Sequence, residues 1–337
     1  MDTLAAVAFA RQLIDIDSTT GREQAAGAWL ASQLEGLGYT VDRQPVSGGR
    51  FNVFARLDRP AVVLSTHFDC VPPFFPSDVR DGALYGRGSC DAKGILAAQV
   101  AAAERLRASG ERRVGLLFVV GEERGSDGAA VANTLAQGSA FLINGEPTEN
   151  QLALATRGVL RLRLTAIGRA AHSAAPHEGE SAIDKLMDAL IRMRTMAWPS
   201  DPDLGGTFHT IGFIEGGIAP NVISPSATAE VMFRIVGPAD EVLQVARGLE
   251  PAVRIEEVLR VPMVRFHTVE GVPTAVFPFT TDVPFLDRWG TPLLFGPGSF
   301  LVAHTDREHL TLDAFETAIG RYAQLLAACL SSAAISS

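Results

Sequence analysis

The chain of 337 residues is 47% hydrophobic and 20% charged, with a formal net charge of -9. That length serves one large domain or two ordinary ones, and the acidity argues against a nucleic-acid partner, because phosphate binding wants a basic surface. No apolar window is long enough to span a bilayer, and the opening MDTLAAVAFARQL lacks the basic start of a signal peptide. Cys70, Cys90 and Cys329 have neither metal-finger nor redox-pair spacing, so a cytoplasmic, reduced setting without a membrane partner is expected.

In chain order, residues 3–17 and 22–37 read as helices and 61–67 (AVVLSTH) as a short buried strand. Residues 92–108 form an Ala-rich helical stretch, and 113–120 and 140–144 are two more buried strands. Short apolar runs separated by helices predict an α/β fold whose mixed, largely parallel sheet is sandwiched by helices. The pattern changes after Thr156: Leu160, Leu162 and Leu164 alternate with Arg161, Arg163 and Thr165, as in a half-exposed strand. A helix at 181–196, strands at 207–215 and 227–236, a helix at 239–249 and a strand at 252–259 complete a β-α-β-β-α-β order. That order fits an inserted α+β split-βαβ (ferredoxin-like) module at 157–260. The first domain, 1–156, resumes at 261–337 and ends in an amphipathic helix at 312–330.

Charged residues cluster where the first domain's strands end. THFDCVP carries His67 and Asp69, GRGSCDAKG carries Asp91, GEERG carries Glu122 and Glu123, and INGEPTE carries Glu146; the late GPGSFLVAHTDREHL adds His304. Taken singly each has an ordinary explanation. Asp91 reads as an N-cap of the following helix, His67 as a boundary histidine, and the glutamate pair as solvated loop residues. GRGSCDAKG lacks the Gly-Lys-Ser/Thr ending of a phosphate loop. Taken together, histidine and carboxylate donors on successive loops can hold two divalent ions about 3.5–4 Å apart, and such ions would supply the positive partner that two adjacent glutamates lack. Nitrogen and oxygen donors without sulfur suit zinc.

The series HFDCVP, GRGSCDAKG, GEERGSDGA, GEPTE, GRAAHSAAPHEGESAID, EGGIAPNVISP and GPG…AH, spanning residues 60 to 310, resembles the di-zinc family of aminoacylases, acetylornithine deacetylases, succinyl-diaminopimelate desuccinylases and glutamate carboxypeptidases. The resemblance implies two zinc ions, with cobalt or manganese as substitutes. It makes His67 and Glu146 ligands of one ion, Glu123 and His304 ligands of the other, and Asp91 the bridge. It assigns Glu122 as general base and Asp69 as the carboxylate that orients His67. It also makes the inserted module a lid and homodimerisation domain, whose His172 reaches across the interface to the oxyanion. Asn221 and Arg234 would hold a substrate carboxylate, and Gly298 would let the substrate approach closely. A departure is FTTDVPFL at 279–286, where many relatives carry Gly-Thr-Asp; Thr281 and Asp282 keep part of that run. The activity implied is hydrolysis of an N-acyl amino acid, with a dipeptidase or carboxypeptidase as alternative and a catalytically silent binding protein behind both.

Overall fold

Two hydrophobic periods build two compact units in the computed structural model, which describes residues 1–335. One unit comprises Met1–Leu154, Arg265–Ala275 and Thr281–Ser337, and the other Ala155–Val264 and Val276–Thr280. The first begins with α1 (Thr3–Ile14), α2 (Gln24–Gly36), β1 (Thr40–Pro45), β2 (Phe51–Arg56) and β3 (Val62–His67). It continues through α3 (Lys93–Ala108), β4 (Val114–Val119), α4 (Asp127–Thr134) and β5 (Phe141–Asn144). The second unit holds β6 (Gly158–Ile167), α5 (Ala182–Met193), β7 (Phe208–Gly216), β8 (Ser226–Ile235), α6 (Ala239–Arg247) and β9 (Arg254–Val261). The chain then returns to the first unit with β10 (Thr291–Leu294) and α7 (Leu312–Ile335).

The six-stranded sheet of the first unit has the order β1-β2-β4-β3-β5-β10. Strands β4, β3, β5 and β10 run parallel, and β1 and β2 add antiparallel strands at one side. Every residue of β3 and β4 is buried, as a strand covered on both faces requires. Alternate side chains enter two cores. Val62, Leu64, Leu116 and Phe118 pack with residues of α1, α2, α3 and α7, while Val63, Leu117, Val119 and Leu142 meet Ala129, Ala132, Leu286 and Trp289. Helix α3 is buried continuously from Lys93 to Ala103; its run of alanines lets helices on either side approach closely.

The second unit is an antiparallel sheet of order β7-β8-β6-β9, in which β6-α5-β7 and β8-α6-β9 interleave as a split βαβ pair. Leu160, Leu162, Leu164, Ala229, Val231, Phe233 and Ile235 share the buried face with Leu186, Leu190 and Met193 of α5. Arg163 lies on the opposite face and pairs with Glu230 at 2.8 Å. Strand β7 is an edge whose Phe208, Ile211, Phe213 and Ile214 are exposed. No helix among the described residues is long and apolar enough to cross a membrane.

Candidate active site

Four parallel strands of the first unit end at one margin of the sheet, where sites in open α/β sheets form. His67 is the last residue of β3, and Glu146 follows β5 by two residues. After β4 the chain turns at Gly121, in the left-handed region at φ 77°, where a Cβ would lie 2.0 Å from Asp127 Oδ1. A short turn, Glu122–Arg124, follows. Asp91 stands two residues before α3 begins at Lys93, and its side chain does not cap the helix: the N-cap is Ala92, without a side-chain hydrogen bond. His304 follows β10 with φ 63°.

These residues converge on Asp91. One donor atom from each of His67, Asp91 and Glu146 lies within 4.8 Å of the others, and the same holds for Asp91, Glu123 and His304. His67 Nε2 is 3.0 Å from Asp91 Oδ1. His304 Nε2 is 3.2 Å from Asp91 Oδ2 and 3.0 Å from Glu123 Oε1. The two carboxylate oxygens therefore face different triads. His67 Nδ1 lies 3.0 Å from the Asp69 backbone carbonyl; because a carbonyl only accepts, this contact keeps a proton on Nδ1 and makes Nε2, which faces Asp91, the nitrogen that would ligate an ion on giving up its proton.

Burial opposes ionisation of Asp91, but hydrogen bonds from His304 and His67 outweigh it and hold its pKa well below the usual carboxylate range. Burial likewise disfavours a charged His67, yet Asp69 and Asp91 raise it well above an ordinary histidine. Asp91 and Glu123 bring His304 to about 10. Burial pushes Glu122 well up, and neighbouring Glu146 adds to it. Glu146 is raised well above normal by burial, and its Oε1 has no hydrogen-bond partner. Burial also brings Asp282 to about 7. Carboxylates thus outnumber the two imidazoles, and an orphaned buried oxygen aims at the same place. Divalent cations would correct both, so the residues fit two ions. Thiolate ligation does not compete: Cys70 and Cys90 are free and buried, and burial pushes the Cys70 thiol to about 12.

The carboxylate of Asp69 reaches further than its expected contact with His67, from which Oδ1 stands 3.4 Å away. It accepts hydrogen bonds from the backbone N–H of Glu122 (3.1 Å) and of Glu123 (3.3 Å), and from Thr20 Oγ1 (2.9 Å). Sequence reasoning passed over both Thr20 and the fully buried Glu308, which binds the loop carrying Asp91. Gly298 has a local structural reason: its φ is 82°, and a Cβ there would meet Cys90 Sγ at 2.5 Å. The remaining residues lie in the second unit. The exposed His172 accepts a hydrogen bond at Nδ1 from Ala174 N–H, and Ser173 N–H donates to the Asn221 carbonyl at 3.0 Å, so these two loops are joined. Arg234 is half-buried, and burial lowers its pKa with no carboxylate offsetting the effect. A strand rise of about 3.3 Å per residue puts roughly 26 Å between Ser226, just after the Asn221 loop, and Arg234. Within one chain, Arg234 does not join His172 and Asn221.

The sequence model of Peptidase family M20/M25/M40 matches residues 63–328. A peptidase M20 domain-containing protein of Schizosaccharomyces pombe is 36% identical over 330 residues, covering 94% of this chain and 82% of the relative. A probable carboxypeptidase of Neosartorya fischeri is 36% identical over 380 residues, covering 96% and 86%. The fold is shared with a dinuclear metal-binding peptidase of Bacillus subtilis at a TM-score of 0.74 and 15% identity, covering 98% of each chain.

Proposed function

The chain belongs to peptidase family M20/M25/M40 and is a metal-dependent hydrolase; from that premise we propose that it cleaves the amide bond before a free C-terminal amino acid, chiefly in dipeptides and short peptides. N-acyl amino acids present the same bond and the same carboxylate and are the second substrate class. The observation that carries the reading is the pair of triads sharing Asp91, with Glu122 beside them. That relatives are named probable carboxypeptidases supports peptides over acyl amino acids as the substrate class here.

We assign His67, Asp91 and Glu146 to one zinc ion and Asp91, Glu123 and His304 to the other, with cobalt or manganese able to replace zinc. Bound ions of this kind acidify a water and polarise an amide carbonyl. Glu122 takes the proton of the attacking water and delivers it to the leaving nitrogen as the C–N bond breaks. The raised pKa of Glu122 suits the second half of that task, and bound cations pull it back toward the first. Asp69 fixes both the ring of His67 and the backbone of the Glu122 turn. In the second unit, His172 steadies the developing oxyanion, and Arg234 with Asn221 holds the terminal carboxylate. The separation of Arg234 from His172 and Asn221 along β8 supports a homodimer in which the second unit of one copy serves the partner. The exposed apolar edge β7 offers a surface for that pairing.

Metal analysis together with a substrate panel tests the reading. About two zinc ions per chain are expected, with chelator-sensitive hydrolysis of free dipeptides and none of their C-terminal amides. Equal hydrolysis of the amides would remove the carboxylate requirement. A metal-loaded protein inert across dipeptides and acyl amino acids would favour a binding function.

A further inference from the structure

Glu308 is fully buried, and no step above uses it. Its Oε1 accepts hydrogen bonds from the backbone N–H groups of Gly88 (2.9 Å), Cys90 (3.1 Å) and Asp91 (3.0 Å). Its Oε2 accepts from Arg87 Nη1 at 2.5 Å. Arg87 is 2% exposed; its Nε donates to the Pro73 carbonyl, and its guanidinium lies 5.0 Å from the Phe75 ring centre. The carboxylate is therefore fixed by the arginine and in turn fixes three amides of one loop, the last belonging to Asp91.

Stability alone is a poor reason for this arrangement. A buried ion pair is costly to desolvate, and an apolar pair of similar volume commonly does as well. An apolar side chain, however, could not hold three inward-pointing N–H groups, each of which would be left unsatisfied. The placement has a second consequence. Glu308 lies four residues after His304, so one side chain ties the segment bearing Asp91 to the segment bearing His304. Those are the two side chains that meet at 3.2 Å in the second triad.

We propose that Glu308 is a positioning residue that sets Asp91 against His304, so that the second divalent-ion site is assembled before an ion arrives. The inference rests on the two-ion reading given above. Asp91 belongs to both triads, but only the second also draws on the His304 segment, so loss of this brace weakens the second ion more than the first.

The test compares full-length wild type with Glu308→Gln and Arg87→Gln. Zinc affinity of each site is measured by chelator competition, and the visible spectrum of the cobalt-loaded protein reports coordination. Melting of the chelator-treated proteins monitors any general loss of stability. Glu308→Gln keeps the shape but weakens the hold on the three amides. It should bind the second zinc about 10- to 100-fold more weakly, as expected when a group behind a metal ligand is lost, with a changed cobalt spectrum and the first zinc retained more tightly. Arg87→Gln should shift the same quantities in the same direction by a smaller factor. Wild-type affinity and spectrum in Glu308→Gln, or equal weakening of both ions, overturns the proposal. If Glu308→Gln does not fold, Arg87→Gln decides by the same readouts. A wild-type protein that never holds a second ion overturns the two-ion reading and this inference with it, whereas two ions in wild type and unchanged variants overturn this inference alone.

Discussion

Glu122 and Glu123 are neighbours in a short turn, yet their surroundings differ, as the different tasks proposed for them require. Glu123 faces His304 at 3.0 Å, whereas the foremost electrostatic neighbour of Glu122 is Glu146. Their amides are both held by Asp69, so the backbone is fixed while the side chains diverge. Glu122→Gln, which removes the proton carrier and keeps the shape, should retain fold and metal content and lose turnover by about 10²- to 10⁴-fold. Turnover within a few-fold of wild type, by initial rates on a dipeptide, would remove Glu122 from the reaction. His67, Asp91, Glu123, Glu146 and His304 are each ordinary taken singly; the combination of motifs, with its family resemblance, is what marks them in the sequence, and their donor atoms gather in the structure. Asp91 also showed how a local rule misleads: a carboxylate before an alanine-rich helix looks like a cap, and the cap is Ala92. Glu308 left no such trace. Its partners are mainly backbone N–H groups, which every residue has, so in DREHL it reads as one more surface charge.

Among the elements, β3, β4 and β5 announced themselves as continuous apolar runs, and β6 and β8 through strict alternation of apolar and polar residues. The strands β1 and β2 went unread. β1, TVDRQP, is a sheet edge with charged residues and a terminal proline, and such edges carry polar chemistry that masks the period. Helix α4, DGAAVANT, is only 8 residues long and contains Gly128 and Asn133, too weak a pattern to register. The turn at Glu122–Arg124 depends strongly on its surroundings, since it concentrates charge on two glutamates that are only partly buried. Its amides at residues 121–125 should exchange faster in chelator-treated protein than in zinc-loaded protein. With zinc about 100-fold above its dissociation constant, linkage allows up to about 100-fold of added protection. Equal exchange in both forms, measured by mass spectrometry, would show that the turn is rigid without ions.

For the whole molecule, the proposed exchange of residues between copies makes a quantitative demand. His172→Ala and Arg234→Ala homodimers should each be nearly inactive. Mixed and reassociated in equal amounts, they should recover about a quarter of wild-type activity, because half of the dimers carry one complete site. No recovery in dimers shown by native mass spectrometry to be mixed would place His172, Asn221 and Arg234 of a site in one copy. The split first unit also has an effect on how the protein is made. Everything in the first triad has been synthesised once Glu146 leaves the ribosome, whereas His304 and Glu308 emerge only after the second unit has been translated. Until β10 arrives, β5 has no partner on its outer side. A nascent chain interrupted before residue 304 therefore lacks part of the proposed second triad, and one interrupted before β10 also leaves the apolar edge of β5 uncovered.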